Sequence, residues 1–235
     1  PLMGVGGVLL PPRTYFEKVQ AVLAKYDILL IDDEVITGFG RTGELWGAQA
    51  FGMRPNTLTA AKALSSAYLP ISAVLVPEFM YAPMVEASGQ VGLFGHGFTY
   101  SGHPVSAAVA LRALQIYEEH NLYAHVRNVA PQFQARLNAL ASHPLVGDTR
   151  GIGLVGGCEL VQNKVTKAAF DPKRAVGARC MQQCQERGLI VRAIGDVIAL
   201  CPPFIVTPDQ IDEIFTLLAQ GLNDTLTWAR KEQLV

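Results

Sequence analysis

Short apolar segments separated by amphipathic stretches constrain the fold of this chain most strongly. "GGVLL" (6–10) precedes the helix-like "TYFEKVQAVLAKY" (14–26), and "DILLID" (27–32) follows. A buried strand, an amphipathic helix and a second buried strand make a βαβ unit, whose strands pair in parallel and are covered on both faces. Thr14, with Glu17 three residues later, fits the capping box that begins many helices. The start of the chain therefore predicts an α/β fold.

The rest of the chain first continues this pattern and then changes it. Apolar runs at 57–61 and 71–76 add strands, and Pro104 opens a long helix. Beyond that helix, further helices alternate with strand-like segments and tight turns, an order that favours a separate α+β unit. We therefore predict two domains, residues 1–125 and residues 126–235.

The charge and the apolar content exclude several classes of partner. Lysine and arginine number 19 against 20 aspartate and glutamate, and no basic run follows a phosphate backbone, so nucleic acid is not expected as a partner. The apolar runs are shorter than the roughly 20 residues that cross a bilayer, and no leader opens the chain. We therefore expect a cytoplasmic protein without a membrane span. The irregularly spaced cysteines indicate buried reduced thiols and no metal site: Cys158, Cys180, Cys184 and Cys201.

An acidic trio, Asp32, Asp33 and Glu34, follows the apolar segment "ILLI". In parallel α/β sheets, ligands bind at the carboxyl ends of strands, and alternation places Asp32 and Asp33 on opposite faces. One carboxylate can therefore face a ligand while the other caps a turn or a helix. The alternative is that all three carboxylates only solvate the end of a strand.

Lys62 lies in "TAAKALSSAYLP" (59–70), a stretch with no other charged residue. Desolvation lowers the pKa of a lysine and makes its amine available as a nucleophile for a Schiff base. A solvated lysine at the start of a helix is the alternative interpretation.

Three motifs together resemble the class III aminotransferases, enzymes of fold type I that use pyridoxal 5'-phosphate. They are "LLIDDEVITGFGRTG" (29–43), "TLTAAKALSSAYLPISAV" (57–74) and "HGFTYSGHPVSAA" (96–108), and they stand in the order that the family has. The resemblance implies that the first predicted domain is the C-terminal part of a large, mostly parallel-sheet domain that binds the cofactor. The second would be the C-terminal α+β small domain.

The resemblance also implies roles for individual residues. Lys62 would form the Schiff base with the cofactor aldehyde, and Asp33 would pair with the pyridinium nitrogen. A carboxylate beside that nitrogen favours its protonated form, in which the ring accepts electrons from the substrate carbon. Val35, two residues after Asp33 and so expected on the same strand face, would pack against the ring.

Further residues would bind the phosphate and the substrate. Thr99 and the backbone of Phe98 would reach the cofactor phosphate of a neighbouring subunit, so a homodimer or a higher homo-oligomer with shared active sites is expected. Arg192 matches an arginine that binds the acceptor carboxylate in amine:pyruvate and ω-amino acid:pyruvate enzymes, whereas Arg41 is expected to be structural. A solvent-exposed arginine at an edge strand is the alternative for Arg192.

The activity implied by the resemblance is transamination, from an amine or ω-amino acid to pyruvate or another oxoacid. An aminomutase or a decarboxylating enzyme of the same family keeps the same lysine and aspartate, and a non-catalytic assembly or regulatory module is the alternative from another class. Family members carry an earlier portion that completes the cofactor site. These 235 residues alone are therefore expected to bind pyridoxal phosphate weakly or not at all.

Overall fold

The computed structural model describes all residues from Pro1 to Val235. Its helices and strands form two compact units. Unit 1 consists of Pro1, Pro11–Gly40 and Glu44–Leu122, and unit 2 consists of Leu2–Leu10, Arg41–Gly43 and Tyr123–Val235. Both units combine helices with a sheet, and the sheet of unit 1 contains a parallel pair. The predicted α/β fold class is confirmed.

Unit 1 has a three-stranded sheet and four helices. In chain order the elements are α1 (Tyr15–Lys25), β1 (Ile31–Asp33), α2 (Gly47–Ala50), β2 (Thr57–Ala60), a 3₁₀ helix (Lys62–Ser65), β3 (Ala73–Leu75), α3 (Glu78–Val91) and α4 (Pro104–Glu119). Strand β2 lies in the centre, parallel to β1 and antiparallel to β3. The crossover between the two parallel strands runs through α2, so this segment is the βαβ-type connection of the unit.

The first predicted strand is absent from this sheet. Residues 2–10, which include "GGVLL", form a turn with a single isolated bridge between Met3 and Leu9, and they group with unit 2. Gly7 and Val8 both have positive φ, at 95° and 57°, which reverses the chain where a strand would need extended backbone. The βαβ unit expected at the start of the chain is therefore wrong, although its helix and its second strand are present.

Helix α1 begins where the sequence places it, but without the expected cap. The Thr14 side chain makes no capping hydrogen bond, and its backbone lies at φ −95° and ψ 4° instead of the extended region that a capping residue adopts. The predicted capping box is therefore wrong. A capping box does start the last helix, where Thr207 accepts from the Gln210 N–H at 3.2 Å and donates its own N–H to the Gln210 side chain at 3.0 Å.

Unit 2 has a four-stranded antiparallel sheet and three helices. Its elements are α5 (Leu122–Ala139), β4 (Val146–Ile152), β5 (Val155–Leu160), α6 (Val176–Gln185), β6 (Arg192–Ile194), β7 (Val197–Leu200) and α7 (Pro208–Lys231), with short 3₁₀ turns at Leu140–Ser142 and Pro172–Arg174. The strand order is β4-β5-β7-β6. The segment that reads as one strand-like stretch after Thr149 is thus a hairpin, which turns at Gly153 with φ 57°.

The core of unit 2 is apolar and closely packed. Phe133 of α5 meets Phe215 of α7 edge to face, with ring centroids 5.2 Å apart, and Cys158, Cys180 and Cys184 are buried free thiols. Cys201 differs from the expectation, because it is exposed. None of the helices combines the length and the apolarity that a membrane span requires.

Unit 1 buries an acidic side chain in strand β1. Asp32 is 2% exposed, and its Oδ2 has no hydrogen-bond partner. Burial, and then repulsion from the nearby Glu34 carboxylate, raise the pKa of Asp32 to about 6. The folded state therefore holds the Asp32 proton more tightly than the unfolded state does.

This buried carboxyl makes stability fall as the pH rises. Between about pH 4 and pH 6 the folded chain holds a proton on Asp32 that the unfolded chain has released, so the free energy of unfolding decreases across that window and stays lower above it. We expect Asp32→Asn to unfold at a similar urea concentration to the parent at pH 4. At pH 8 it should be more stable by about 1–3 kcal/mol.

Urea unfolding at pH 4, 6 and 8 measures this difference. Asp32→Leu serves as the companion variant, since it also removes the carboxyl and must share the pH dependence of Asp32→Asn even if its packing changes the stability at pH 4. A stability of Asp32→Asn that tracks the parent across the whole range would contradict the expectation.

Candidate functional site

The parallel pairing of β1 with β2 brings two predicted site residues to one edge of the sheet. Asp33 ends β1 and lies opposite Thr59 in the register, and Lys62 follows β2 by two residues. Because the carboxyl ends of parallel strands meet at the same edge, both side chains belong to the region where α/β proteins bind ligands. Asp33 and Lys62 are both exposed.

The acidic trio divides as strand alternation requires. Asp32 is buried, Asp33 is exposed and Glu34 is buried again, at 0% exposure. Of the three carboxylates, only that of Asp33 is thus accessible to solvent or to a ligand. The interpretation in which all three carboxylates solvate the strand end is wrong, because two of them face the interior.

A turn begins directly after Asp33 and determines the position of Val35. The Val35 N–H donates to Asp33 Oδ1 at 3.0 Å, which is the hydrogen bond of an Asx turn. Strand β1 ends at Asp33, and residues 35–40 form turns. The prediction that Val35 shares a strand face with Asp33 is therefore wrong, because Val35 lies in a turn. It lies near Asp33 because the carboxylate itself bonds its backbone.

Glu34 anchors the same turn from the inside of unit 1. Its carboxylate accepts the N–H groups of Gly47 at 2.9 Å and Ala48 at 2.6 Å, and it also accepts the hydroxyl of Thr37. The backbone groups are the unsatisfied donors at the start of α2, and a carboxylate is a strong acceptor for them. This role of Glu34 was not predicted from the sequence. The signal was the alternation that buries every second residue of the strand.

Lys62 has an unusual backbone and an exposed amine. Its φ is 47°, in the left-handed region that few residues other than glycine adopt, at the start of the 3₁₀ helix. Its Nζ has no hydrogen-bond or ion-pair partner in the chain. The desolvated lysine predicted from the sequence is not found, because the Lys62 side chain is exposed and its chain neighbours, Ala61 and Ala63, are small.

Contacts of the residues that follow Lys62 hold this strained segment. The Tyr117 hydroxyl of α4 donates to the Ala63 carbonyl at 2.6 Å, and the Ser65 hydroxyl donates to the Leu69 carbonyl at 2.6 Å. Leu64 and Ser65 are buried beneath. A strained φ persists only where the surroundings over-determine it, so these contacts fix the direction in which Lys62 leaves the sheet. Tyr117 carries no local sequence signal of this role.

Phe98 and Thr99 lie in an exposed loop between α3 and α4. Phe98 is 83% exposed, and Thr99 is exposed as well. The Phe98 N–H donates to Ser101 Oγ at 2.9 Å, and the Ser101 N–H donates back to the Phe98 carbonyl at 2.9 Å. The backbone group expected to bind a phosphate thus has an acceptor within its own loop.

Two arginines of unit 2 differ in their surroundings. Arg41 stacks on the Phe204 ring, with its guanidinium carbon 4.3 Å from the ring centroid, and donates to the Pro202 carbonyl. Arg41 is therefore structural, as the resemblance to the family implied. Arg192 begins the edge strand β6 and is exposed, and its side chain makes no hydrogen bond or ion pair within the chain.

Curated relatives match almost all of this chain. A probable γ-aminobutyrate transaminase 3, mitochondrial, from Oryza sativa subsp. indica is 49% identical over 225 residues, which are 96% of this chain and 44% of the relative. A γ-aminobutyrate transaminase 3, chloroplastic, from Solanum lycopersicum is 47% identical over 225 residues, 96% of this chain and 43% of the relative. The chain spans about half the length of the curated relatives it matches.

Solved structures show the same likeness. A transaminase with L-alanine superimposes with a TM-score of 0.93 at 54% identity, over 97% of this chain and 54% of that chain. The ω-transaminase from Pseudomonas jessenii in complex with PMP gives a TM-score of 0.94 at 46% identity, over 97% of this chain and 50% of that chain.

These findings correct one expectation and establish the family. The names of the curated relatives place those proteins in the mitochondrion or the chloroplast, so the cytoplasmic location expected from the sequence is wrong. That expectation depended on the lack of a leader, which is not evidence of a location. The profile of the family Aminotransferase class-III matches residues 1–222. The match confirms the resemblance carried by the three motifs, and this chain belongs to the class III aminotransferases.

Proposed function

We propose that the protein transfers an amino group from an amine or ω-amino acid to pyruvate or another oxoacid, with pyridoxal 5'-phosphate bound where β1 and β2 end. The observation that carries this proposal is the pairing of β1 with β2 in parallel, with the carboxylate of Asp33 and the amine of Lys62 exposed at one edge. The family and the transaminase relatives support it.

The chemistry of the available groups fits this cofactor. The cofactor aldehyde condenses with a primary amine, and Lys62 Nζ has no hydrogen-bond or ion-pair partner in the chain that would compete. A pyridinium nitrogen needs an anionic acceptor. Asp33 uses Oδ1 for the Val35 N–H and keeps Oδ2 available, so it can accept a second hydrogen bond.

Each residue contributes a separate step to the reaction. The cofactor, when bound, supplies an aldehyde that condenses with amines and a ring that accepts electrons. Lys62 contributes its Nζ as the nucleophile that holds the aldehyde and, once released, as the base that moves a proton at the substrate carbon. Asp33 holds the ring nitrogen in its protonated state.

The loop residues make a second copy of the chain part of the proposal. Thr99 offers a hydroxyl and Phe98 a backbone N–H, which are suitable donors for a phosphate. Their exposure supports a role toward the cofactor of a neighbouring subunit in a homodimer. Phe98 would then exchange its bond with Ser101 for one with the phosphate. Val35 would pack against the ring from the turn after Asp33.

Arg192 is the proposed residue for binding the carboxylate of the substrate. Its guanidinium has no protein partner and can bind a carboxylate through two parallel hydrogen bonds. The names of the curated relatives support γ-aminobutyrate, an ω-amino acid, as one donor. Neither an aminomutase nor a decarboxylating activity nor a non-catalytic module is favoured by a specific observation.

Reductive trapping tests the role of Lys62. After incubation with pyridoxal phosphate and reduction with borohydride, we expect the phosphopyridoxyl mass on the peptide that contains Lys62. Because reduction makes the bond permanent, even weakly held cofactor is detected. Lys62→Ala should lose the label, and Lys18→Ala, which removes an exposed lysine of α1, should retain it. Labels scattered over many lysines would contradict the assignment.

Steady-state kinetics test the role of Arg192, on a protein in which the earlier portion that family members carry completes the cofactor site. We expect Arg192→Gln to raise the KM for pyruvate by about 10- to 100-fold, because one charge-assisted hydrogen-bonded pair is lost. The KM for an amine donor without a carboxylate should change little. Arg230→Gln removes an exposed arginine of α7 and is the matched control. An equal rise in both KM values for Arg192→Gln would argue against carboxylate recognition.

A further inference from the structure

Glu34 lies between the two residues that are proposed to contact the cofactor ring, yet its own side chain points away from them. The Asp33 side chain is exposed, whereas the Glu34 side chain is 0% exposed. Two consecutive side chains therefore point to solvent and to the interior. A buried glutamate is costly unless its carboxylate is fully hydrogen-bonded. The bonds of Glu34 are therefore expected to hold its backbone firmly.

The carboxylate of Glu34 binds the start of α2 through both oxygens. Oε2 accepts from the Gly47 N–H at 2.9 Å and from the Thr37 hydroxyl, and Oε1 accepts from the Ala48 N–H at 2.6 Å. Thr37 lies within the turn that follows Glu34. One side chain thus joins the end of β1, the turn and α2.

The neighbouring glycines show how closely this arrangement is packed. A Cβ on Gly47 would lie 2.6 Å from Thr37 Cβ and 3.0 Å from Glu34 Oε2. A Cβ on Gly38 would lie 2.8 Å from the Glu34 carbonyl oxygen. The absence of side chains at both positions permits the close approach of α2 and of the turn to Glu34.

The backbone of Glu34 is held as well. Its N–H donates to the Thr59 carbonyl of β2 at 2.9 Å, and its carbonyl accepts the Gly38 N–H at 2.9 Å. The next N–H, that of Val35, donates to Asp33 Oδ1 at 3.0 Å. The first bond extends the pairing of β1 with β2 by one residue, toward the segment that carries Lys62.

We propose that Glu34 is the positioning residue that aims the Asp33 carboxylate, by holding the backbone between Asp33 and Val35 to α2 and to β2. The proposal deepens the proposed function and rests on it, because the importance of Asp33 depends on the cofactor. Without the anchor, the turn would be free to rotate. The Val35 N–H and the Asp33 carboxylate would then separate.

A glutamine at position 34 tests the anchor with almost no change in volume. Its amide oxygen can accept one N–H, but its NH₂ group donates and so faces the other N–H of α2 without an acceptor. Thr37→Val is a milder variant of similar shape, which removes only the hydroxyl bonded to Glu34. Glu17→Gln changes an exposed glutamate of α1 and is the matched control.

Amide hydrogen exchange by NMR, on the full chain without cofactor, is the measurement. We expect Glu34→Gln to accelerate exchange at Gly47, Ala48 and Val35 by at least tenfold, while the Leu58 amide in the centre of the sheet keeps its rate. Thr37→Val should accelerate Val35 by a smaller factor, and Glu17→Gln should change none of these rates. Asp33→Ala, which removes the acceptor oxygen of the Asx turn, should accelerate Val35 without affecting Gly47 or Ala48.

The Val35 amide distinguishes positioning from a purely structural role. If Glu34→Gln accelerates only Gly47 and Ala48, the anchor holds α2 without aiming Asp33, and the proposal is overturned. If Glu34→Gln does not fold, an unchanged Val35 rate in Thr37→Val overturns it equally. Reductive labelling of Lys62 in the unaltered chain is the separate test of the proposed function, and its failure would leave the exchange result intact.

Discussion

The parallel hydrogen bonding between β1 and β2 is the interaction on which the candidate site depends. Its register places Asp33 opposite Thr59, three residues before Lys62, and the Glu34 N–H extends the pairing by one bond to the Thr59 carbonyl. A slip of one residue would exchange the buried and exposed faces of β1. Asp33 would then enter the interior, while Asp32 and Glu34 would face solvent, so the register decides which carboxylate is available to a ligand.

At the edge of the sheet, the backbone of Lys62 is strained, whereas the turn after Asp33 is held by a hydrogen bond. Lys62 has a positive φ, and its segment is held by the bond from Tyr117 to the Ala63 carbonyl. Asp33 is instead held through its side chain, because its carboxylate accepts the Val35 N–H in an Asx turn. A strained residue kept in place by buried neighbours is typical of functional sites, where direction matters more than local stability. The strain at Lys62 is thus consistent with the role proposed for its amine.

Short-range patterns predicted the elements better than they predicted the chain's turns. Alternation correctly separated Asp32 from Asp33, since it depends only on strand geometry. It failed at Val35 because β1 ends at Asp33, where a side chain to backbone bond replaces the strand. "GGVLL" reads as a strand by composition, but Gly7 and Val8 turn the chain. The exposure of Lys62 depends on which elements pack around it, and the residues adjacent in sequence do not determine that packing.

The arginines of unit 2 show the same limit of prediction from sequence, because only their tertiary contacts distinguish Arg192 from the other two. Arg150 donates to the Gly7 carbonyl at 2.7 Å and 2.9 Å and pairs with Asp148, whereas Arg41 stacks on an aromatic ring and bonds a carbonyl. Both guanidiniums therefore hold parts of the fold together. Arg192 begins an edge strand, where only one side of the backbone is paired, and its side chain bonds nothing in the chain. The N–H donors of its guanidinium are therefore available to a carboxylate. The tertiary contacts show this difference between the arginines, and residue type alone does not.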